Sequence, residues 1–198
     1  MDDIVEQAMR KWPNVPHCYG WLGLDARGAW RMRDEQTQRQ NLLGDKIMHA
    51  ALVGFINRNY KADEQGCWYF QNGPQRVYVD LELTPYIAHT DPALGFVLQT
   101  GEAMTDIEAV MLTDKGSLLL IAPGQVAAID DRDLAQALAA LRLDGKIASD
   151  DALLAWMENP SDQGSLTWQP AETAIAVSHI ATSNIATHFG FVSKPRQP

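Results

Sequence analysis

The densest run of side chains able to recognise a ligand lies between residues 57 and 78. It comprises Asn57-Arg58-Asn59-Tyr60, then Trp68, Asn72, Arg76 and Tyr78. A guanidinium presents a planar fork of N–H donors that matches a phosphate or a carboxylate. Aromatic rings offer faces on which a base or another flat ring can stack. Arg58 and Arg76 are therefore the expected anion contacts, with Tyr60, Trp68 or Tyr78 stacking and Asn72 in the same cluster. The same residues also admit a purely structural reading. In it Arg58 bonds the last carbonyls of a helix, Arg76 pairs with Asp80 or Glu82, and the aromatics are core.

Other chemistries find little purchase. Neither G-x-G-x-x-G nor G-x-x-x-x-G-K-[ST] occurs, and no G-x-S-x-G elbow is present. The histidines at 17, 49, 89, 179 and 188 include no pair at His-x-x-x-His spacing, so no metal site is expected. Cys18 follows His17, but adjacent strand residues point to opposite faces and make a poor thiolate–imidazole pair. No catalytic residue and no cofactor are expected. Only two cysteines occur, Cys18 and Cys67, which suits a reducing cytoplasm. The apolar runs Ala50–Ile56 and Leu118–Ala122 fall far short of the ~20 residues that span a bilayer. The opening Met1-Asp2-Asp3 lacks the basic and apolar regions of a signal peptide, so neither a leader nor a membrane partner is expected.

The chain has 198 residues, with 16 basic and 25 acidic side chains and a net charge of −9. Bulk nucleic-acid binding, which relies on Lys and Arg against phosphates, is disfavoured. The charge is uneven. Residues 1–90 hold 10 basic and 11 acidic side chains, while residues 91–198 hold 6 and 14. Of the 16 aromatics, 11 lie in the first 90 residues. Two domains are expected, 1–90 and an acidic 91–198.

The periodicity predicts a helix over 2–12, with Ile4, Val5, Ala8, Met9 and Trp12 on one face, stopped by Pro13. Residues 34–44 read as a polar loop. Asp45 is the expected cap of a second helix through Ile47, Ala51, Phe55 and Ile56. Strands are expected at 67–70 and 75–83, the latter with Val77, Val79 and Leu81 on one face and Arg76, Tyr78 and Asp80 on the other. In the second half, strands fall near 96–100, 109–112, 117–121, 126–129 and 173–180. Asp130 caps a helix carrying Leu134, Leu138 and Leu141, and Ser149 caps another. The last five residues are expected to fray. Three hairpin signals share an Asp followed by Gly, at Asp25, Asp63 and Asp114. The recurrence suggests a duplicated strand-and-helix unit.

The segment Gly73-Pro74-Gln75-Arg76-Val77-Tyr78-Val79-Asp80-Leu81-Glu82-Leu83-Thr84-Pro85-Tyr86-Ile87 resembles a stretch of a proteobacterial family of unknown function. So do the Gly28/Trp30 strand, the Leu52-Val53-x-Phe55 helix and the Asp63/Gly66/Trp68 strand before it, and Phe96–Thr100 after it. The resemblance covers roughly residues 20–130 and stops before the last 50. Gly73 stands where the family has Thr, and Gln75 where it has Glu. It implies a duplicated domain pair, the second superficially like a pleckstrin-homology module. It also implies a signalling role through a nucleotide-like ligand held between the domains.

The expected fold is thus α+β, two small β-rich domains with flanking helices. The expected function is a non-enzymatic, regulatory cytoplasmic binding protein for a small anionic, nucleotide-like ligand. Two alternatives stand beside it. One is a protein-interaction module with a protein partner and no small ligand, and the other is an enzyme with an unrecognised site.

Overall fold

The computed structural model describes residues 2–197 of the chain. The fold is α+β, built on one six-stranded and one nine-stranded sheet. Contacts divide the chain into two compact units. The first holds residues 1–85, 99–101 and 186–198; the second holds 86–98 and 102–185. The linear division near residue 90 misses the C-terminal segment, which belongs to the first unit.

This membership sharpens the charge asymmetry. Lys194 and Arg196 move to the first unit, giving it 12 basic and 11 acidic side chains, a net of +1. The second unit keeps 4 basic against 14 acidic, a net of −10.

In the first unit, α1 (Asp3–Lys11) has Asp3 and Glu6 in its first turn and Arg10 and Lys11 in its last, which complements the helix dipole. Of its expected apolar face only Val5 is buried, while Ile4 and Trp12 are exposed. Then follow β1 (Cys18–Leu24) and β2 (Trp30–Met32). The expected loop at 34–44 contains a short helix, α2 (Glu35–Arg39), because the Asp34 carboxylate accepts a bond from the Thr37 amide at 2.8 Å. Asp45 caps nothing. It lies in β3 (Asp45–Lys46), paired with Met32. The cap of α3 (Ala50–Arg58) is His49, whose Nδ1 accepts from the Leu52 amide. After it come β4 (Tyr60–Ala62), β5 (Trp68–Asn72) and β6 (Gln75–Leu81).

The strand order is β3-β2-β1-β6-β5-β4, with β1 and β6 parallel and the other pairs antiparallel. Period-two alternation gives this sheet two chemically different faces. Leu22, Leu24, Trp30, Tyr60, Phe70, Val79 and Leu81 are buried on one face, against which α3 packs through Phe55 on Phe70. Gly23, Arg31, Arg33, Tyr69, Arg76, Tyr78 and Asp80 belong to the other.

In the second unit the chain runs through β7 (Tyr86–Asp91), β8 (Gly95–Leu98), β9 (Ala109–Thr113), β10 (Leu118–Ala122) and β11 (Gln125–Ile129). It continues with α4 (Asp131–Leu138), β12 (Leu141–Leu143), β13 (Lys146–Ile147), α5 (Asp150–Glu158), β14 (Leu166–Trp168) and β15 (Ile175–Ile180). Asp130 and Ser149 cap α4 and α5 as expected. Leu141 is on β12 rather than α4. The core gathers Leu98, Leu112, Leu118, Leu120, Leu141, Trp156 and Trp168.

All three expected hairpins form. In the first two, one oxygen of Asp25 or Asp63 accepts two backbone amides of its turn. In the third, the equivalent acceptor is the hydroxyl of Thr113, not Asp114. The difference matters because a carboxylate has a second oxygen to spend elsewhere and a hydroxyl does not.

Candidate functional site

The structure does not bring the six expected ligand residues together. Arg58, at the end of α3, is exposed. Its guanidinium bonds the Asp2 carboxylate at 3.2 Å and the Gly54 carbonyl, one helical turn back, at 3.0 Å. Tyr60 is buried, gives its hydroxyl to the Pro85 carbonyl at 2.9 Å, and packs between Trp30 and Trp68. Asn72 ends β5, exposed, opposite Gln75. Arg76 and Tyr78 lie on the opposite sheet face from Tyr60 and Trp68, as the alternation of β5 and β6 requires.

Arg76 and Tyr78 do form a unit of their own. The Arg76 guanidinium sits 4.6 Å over the Tyr69 ring. A hydrogen bond to the Tyr78 oxygen raises its pKa. Burial pushes the Tyr78 phenol up as well, and its hydroxyl donates to the spare Asp63 oxygen at 3.0 Å. Tyr19 stacks on Tyr78 at 4.6 Å and nearly parallel. The guanidinium is engaged by its own sheet, as the structural reading of Arg76 required, though by Tyr69 and Tyr78 rather than by Asp80 or Glu82.

The convergent charges lie one strand further along the same face. Strand register places Gly23 between Arg31 on β2 and Asp80 on β6. Arg33 and Asp80 are each only 7% exposed and form an ion pair. The Arg33 Nε donates to the Leu42 carbonyl at 3.0 Å. Its Nη2 has no protein partner among the described residues. Asp80 also receives Arg196, at 2.7 and 3.2 Å, and this hydrogen bond raises the Arg196 pKa. Arg31 is held by the spare oxygen of Asp25 at 2.7 Å. Thus one turn aspartate orients the hairpin and an arginine together.

Two cavities share the Arg33–Asp80 pair as a wall. One, about 270 Å³, is also lined by Arg31, Leu42, Glu82 and Lys194. The other, about 300 Å³, is lined by Tyr19, Gly20, Arg33, Gln38, Arg39, Asp80 and Arg196. The second has three guanidinium groups and one carboxylate in its lining, with Arg39 also paired to Glu35 at 3.0 Å. Gly20 is needed there. Its φ is +79°, and a Cβ would stand 2.5 Å from the Gln38 Oε1 that fills the space.

The expected frayed end is instead a strap along this face. The Ser193 carbonyl accepts from Leu81 at 2.7 Å, Lys194 reaches Asn41 at 2.9 Å, and Arg196 reaches Asp80. Pro198 lies outside the described residues. Sequence spacing could not find this cluster, because Arg33 and Asp80 are 47 residues apart and Arg196 is 116 from Asp80. The one available signal was Arg31-x-Arg33, two arginines at strand spacing.

In the second unit, Asp130 is fully buried at the start of α4 and bonds Arg132, with His89 Nδ1 3.2 Å away. Burial raises its pKa, but hydrogen bonds from the Arg132 side chain and amide outweigh this and hold it at about 2. Among the described residues no cluster of three or more His, Cys, Asp or Glu could hold a metal ion. No helix of the described residues is long and apolar enough to cross a membrane.

Residues 1–196 match the family DUF2944, described as "Protein of unknown function (DUF2946)". The chain belongs to this family. DUF2944 is uncharacterised, which agrees at that level with the family of unknown function implied by the motifs. No curated protein matches the chain. Among solved structures, the chain is similar to a DUF1285 family protein from Silicibacter pomeroyi DSS-3, at 12% identity and a TM-score of 0.49, over 90% of this chain and 96% of the other. It is also similar to a DUF1285 family protein from Shewanella baltica OS155, at 16% identity and a TM-score of 0.40, over 59% and 88%.

Proposed function

We propose that this protein binds a small anionic ligand in the arginine-lined cavity of its first unit and acts by recognition rather than catalysis. One observation carries the reading. The almost buried Arg33 guanidinium keeps a free NH2 group at a cavity also lined by Arg39 and Arg196, with Asp80 as the carboxylate in the lining. A buried arginine has few donors to spare unless something else accepts them, and a phosphate or carboxylate oxygen matches that fork. The unit's net charge of +1 supports an anion there, where the chain's overall −9 did not. The anion contacts are thereby moved from Arg58 and Arg76 to Arg33, Arg39 and Arg196.

The ligand class is a phosphate ester with a flat ring, nucleotide-like, since Tyr19 lines the same cavity. The role is regulatory and cytoplasmic. A thermal-shift panel of pyrophosphate, AMP and GMP against sodium chloride at equal ionic strength tests it. A ligand at 100 times its Kd stabilises by about 2.7 kcal/mol. The expected result is a shift with a phosphate-bearing compound, weakened in Arg39→Gln. No shift with any of them favours a protein-interaction module instead.

A further inference from the structure

A cavity of the second unit has the opposite chemistry. It measures about 440 Å³ and opens beside the turn between β7 and β8. That volume lies within the range of small-molecule sites. Asp91 is its only charged lining residue, in a unit whose net charge is −10. The Asp91 Oδ1 accepts the Ala93 and Leu94 amides at 2.9 and 2.8 Å. This fixes the carboxylate, while Oδ2 has no protein partner among the described residues.

Two rings lie against that carboxylate's cavity. Trp168 is part of the lining, 1% exposed and held by a bond from Nε1 to the Ala137 carbonyl at 3.0 Å. Phe96 is half-buried, with its ring centre 5.6 Å from that of Trp168. The last turn of α4 forms a wall through Gln136 and Ala137, and the terminal Ala139 carbonyl is bonded by Arg142 at 2.8 Å, so the charge of the cavity is set by Asp91. The lining holds no cationic side chain to offset that carboxylate against an anion. A cation meets the Asp91 carboxylate and the half-buried Phe96 ring, each attractive.

We infer that this cavity takes a small organic cation, an ammonium head on a short apolar body, with the head between Asp91 and Phe96. The site is independent of the anion site proposed above. Choline chloride is the probe, titrated by calorimetry and by the Trp168 indole N–H resonance. Its uncharged isostere 3,3-dimethylbutan-1-ol serves as control, at constant ionic strength. The expected result is saturable choline binding and at least about tenfold weaker binding of the alcohol. Asp91→Asn should weaken choline by a similar factor, because the amide oxygen can still accept the turn amides and the charge alone is lost. Phe96→Leu, which keeps the packing apolar, should weaken it too. Three results overturn the inference: no saturable binding of choline, equal binding of choline and the alcohol, or full affinity in a folded Asp91→Asn protein.

Discussion

Replacing Asp80 by Ala removes the carboxylate that holds two guanidinium groups. Arg33, 7% exposed, is left charged without its carboxylate partner. Breaking a buried pair in this way costs about 3–5 kcal/mol. The Arg196 side chain is 55% exposed, so its share is solvent-screened and worth at most about 1 kcal/mol. A loss near 4 kcal/mol is a large fraction of the roughly 5–15 kcal/mol that stabilises a domain. With a urea dependence of about 2 kcal/mol per molar, the midpoint should fall by about 2 M. Urea unfolding followed by tryptophan fluorescence measures it, since Trp30 lies in the core of the same unit at 2% exposure. The control is the double variant Arg33→Met with Asp80→Leu. Replacing both partners by apolar groups leaves no orphaned charge, so most of the loss should be recovered. If Asp80→Ala costs under about 1 kcal/mol, or the double variant is no better than the single, the pair is not the desolvated one described above.

Two further outcomes follow from the same geometry. Asp130, held at about 2, has a folded pKa below its unfolded value. Its contribution is therefore complete above about pH 4 and is lost as pH falls toward 2. The loss is about 1–2 kcal/mol, tempered by the exposure of Arg132, and Asp130→Asn should flatten that part of an acid-unfolding profile. Gly20→Ala should destabilise the first unit by about 1–2 kcal/mol through its positive φ, and should displace Gln38 from the cavity wall.

Elements with local signals were legible in the sequence. The three hairpins were marked by an Asp and a glycine, although in the third the turn acceptor is Thr113 rather than Asp114, the Asp130 and Ser149 caps by side chain and position, and the β6 alternation by period two. Short strands were not, because β12, β13 and β14 have two or three residues each and no period can show in so few. Asp45 looked like a cap because its side chain is right for one, but pairing with Met32 won. The aromatic and arginine cluster at 57–78 was legible as composition only. Alternation then placed Tyr60 and Trp68 on one face and Arg76 and Tyr78 on the other. The Arg33–Asp80–Arg196 cluster is a product of the parallel β1–β6 pairing and the returning C-terminal strap, neither of which leaves a local trace.

Calorimetric titration of pyrophosphate into wild type, Arg39→Gln and Arg58→Gln bears most directly on where the anion binds. Arg39 lines the cavity and Arg58 does not, while both are exposed and tolerate glutamine. A charge-assisted bond is worth about 1.5–3 kcal/mol, so Arg39→Gln should weaken binding by about tenfold or more. Arg58→Gln should bind as wild type does. Weakened binding in Arg58→Gln with full affinity in Arg39→Gln would place the anion at the end of α3 and contradict the cavity.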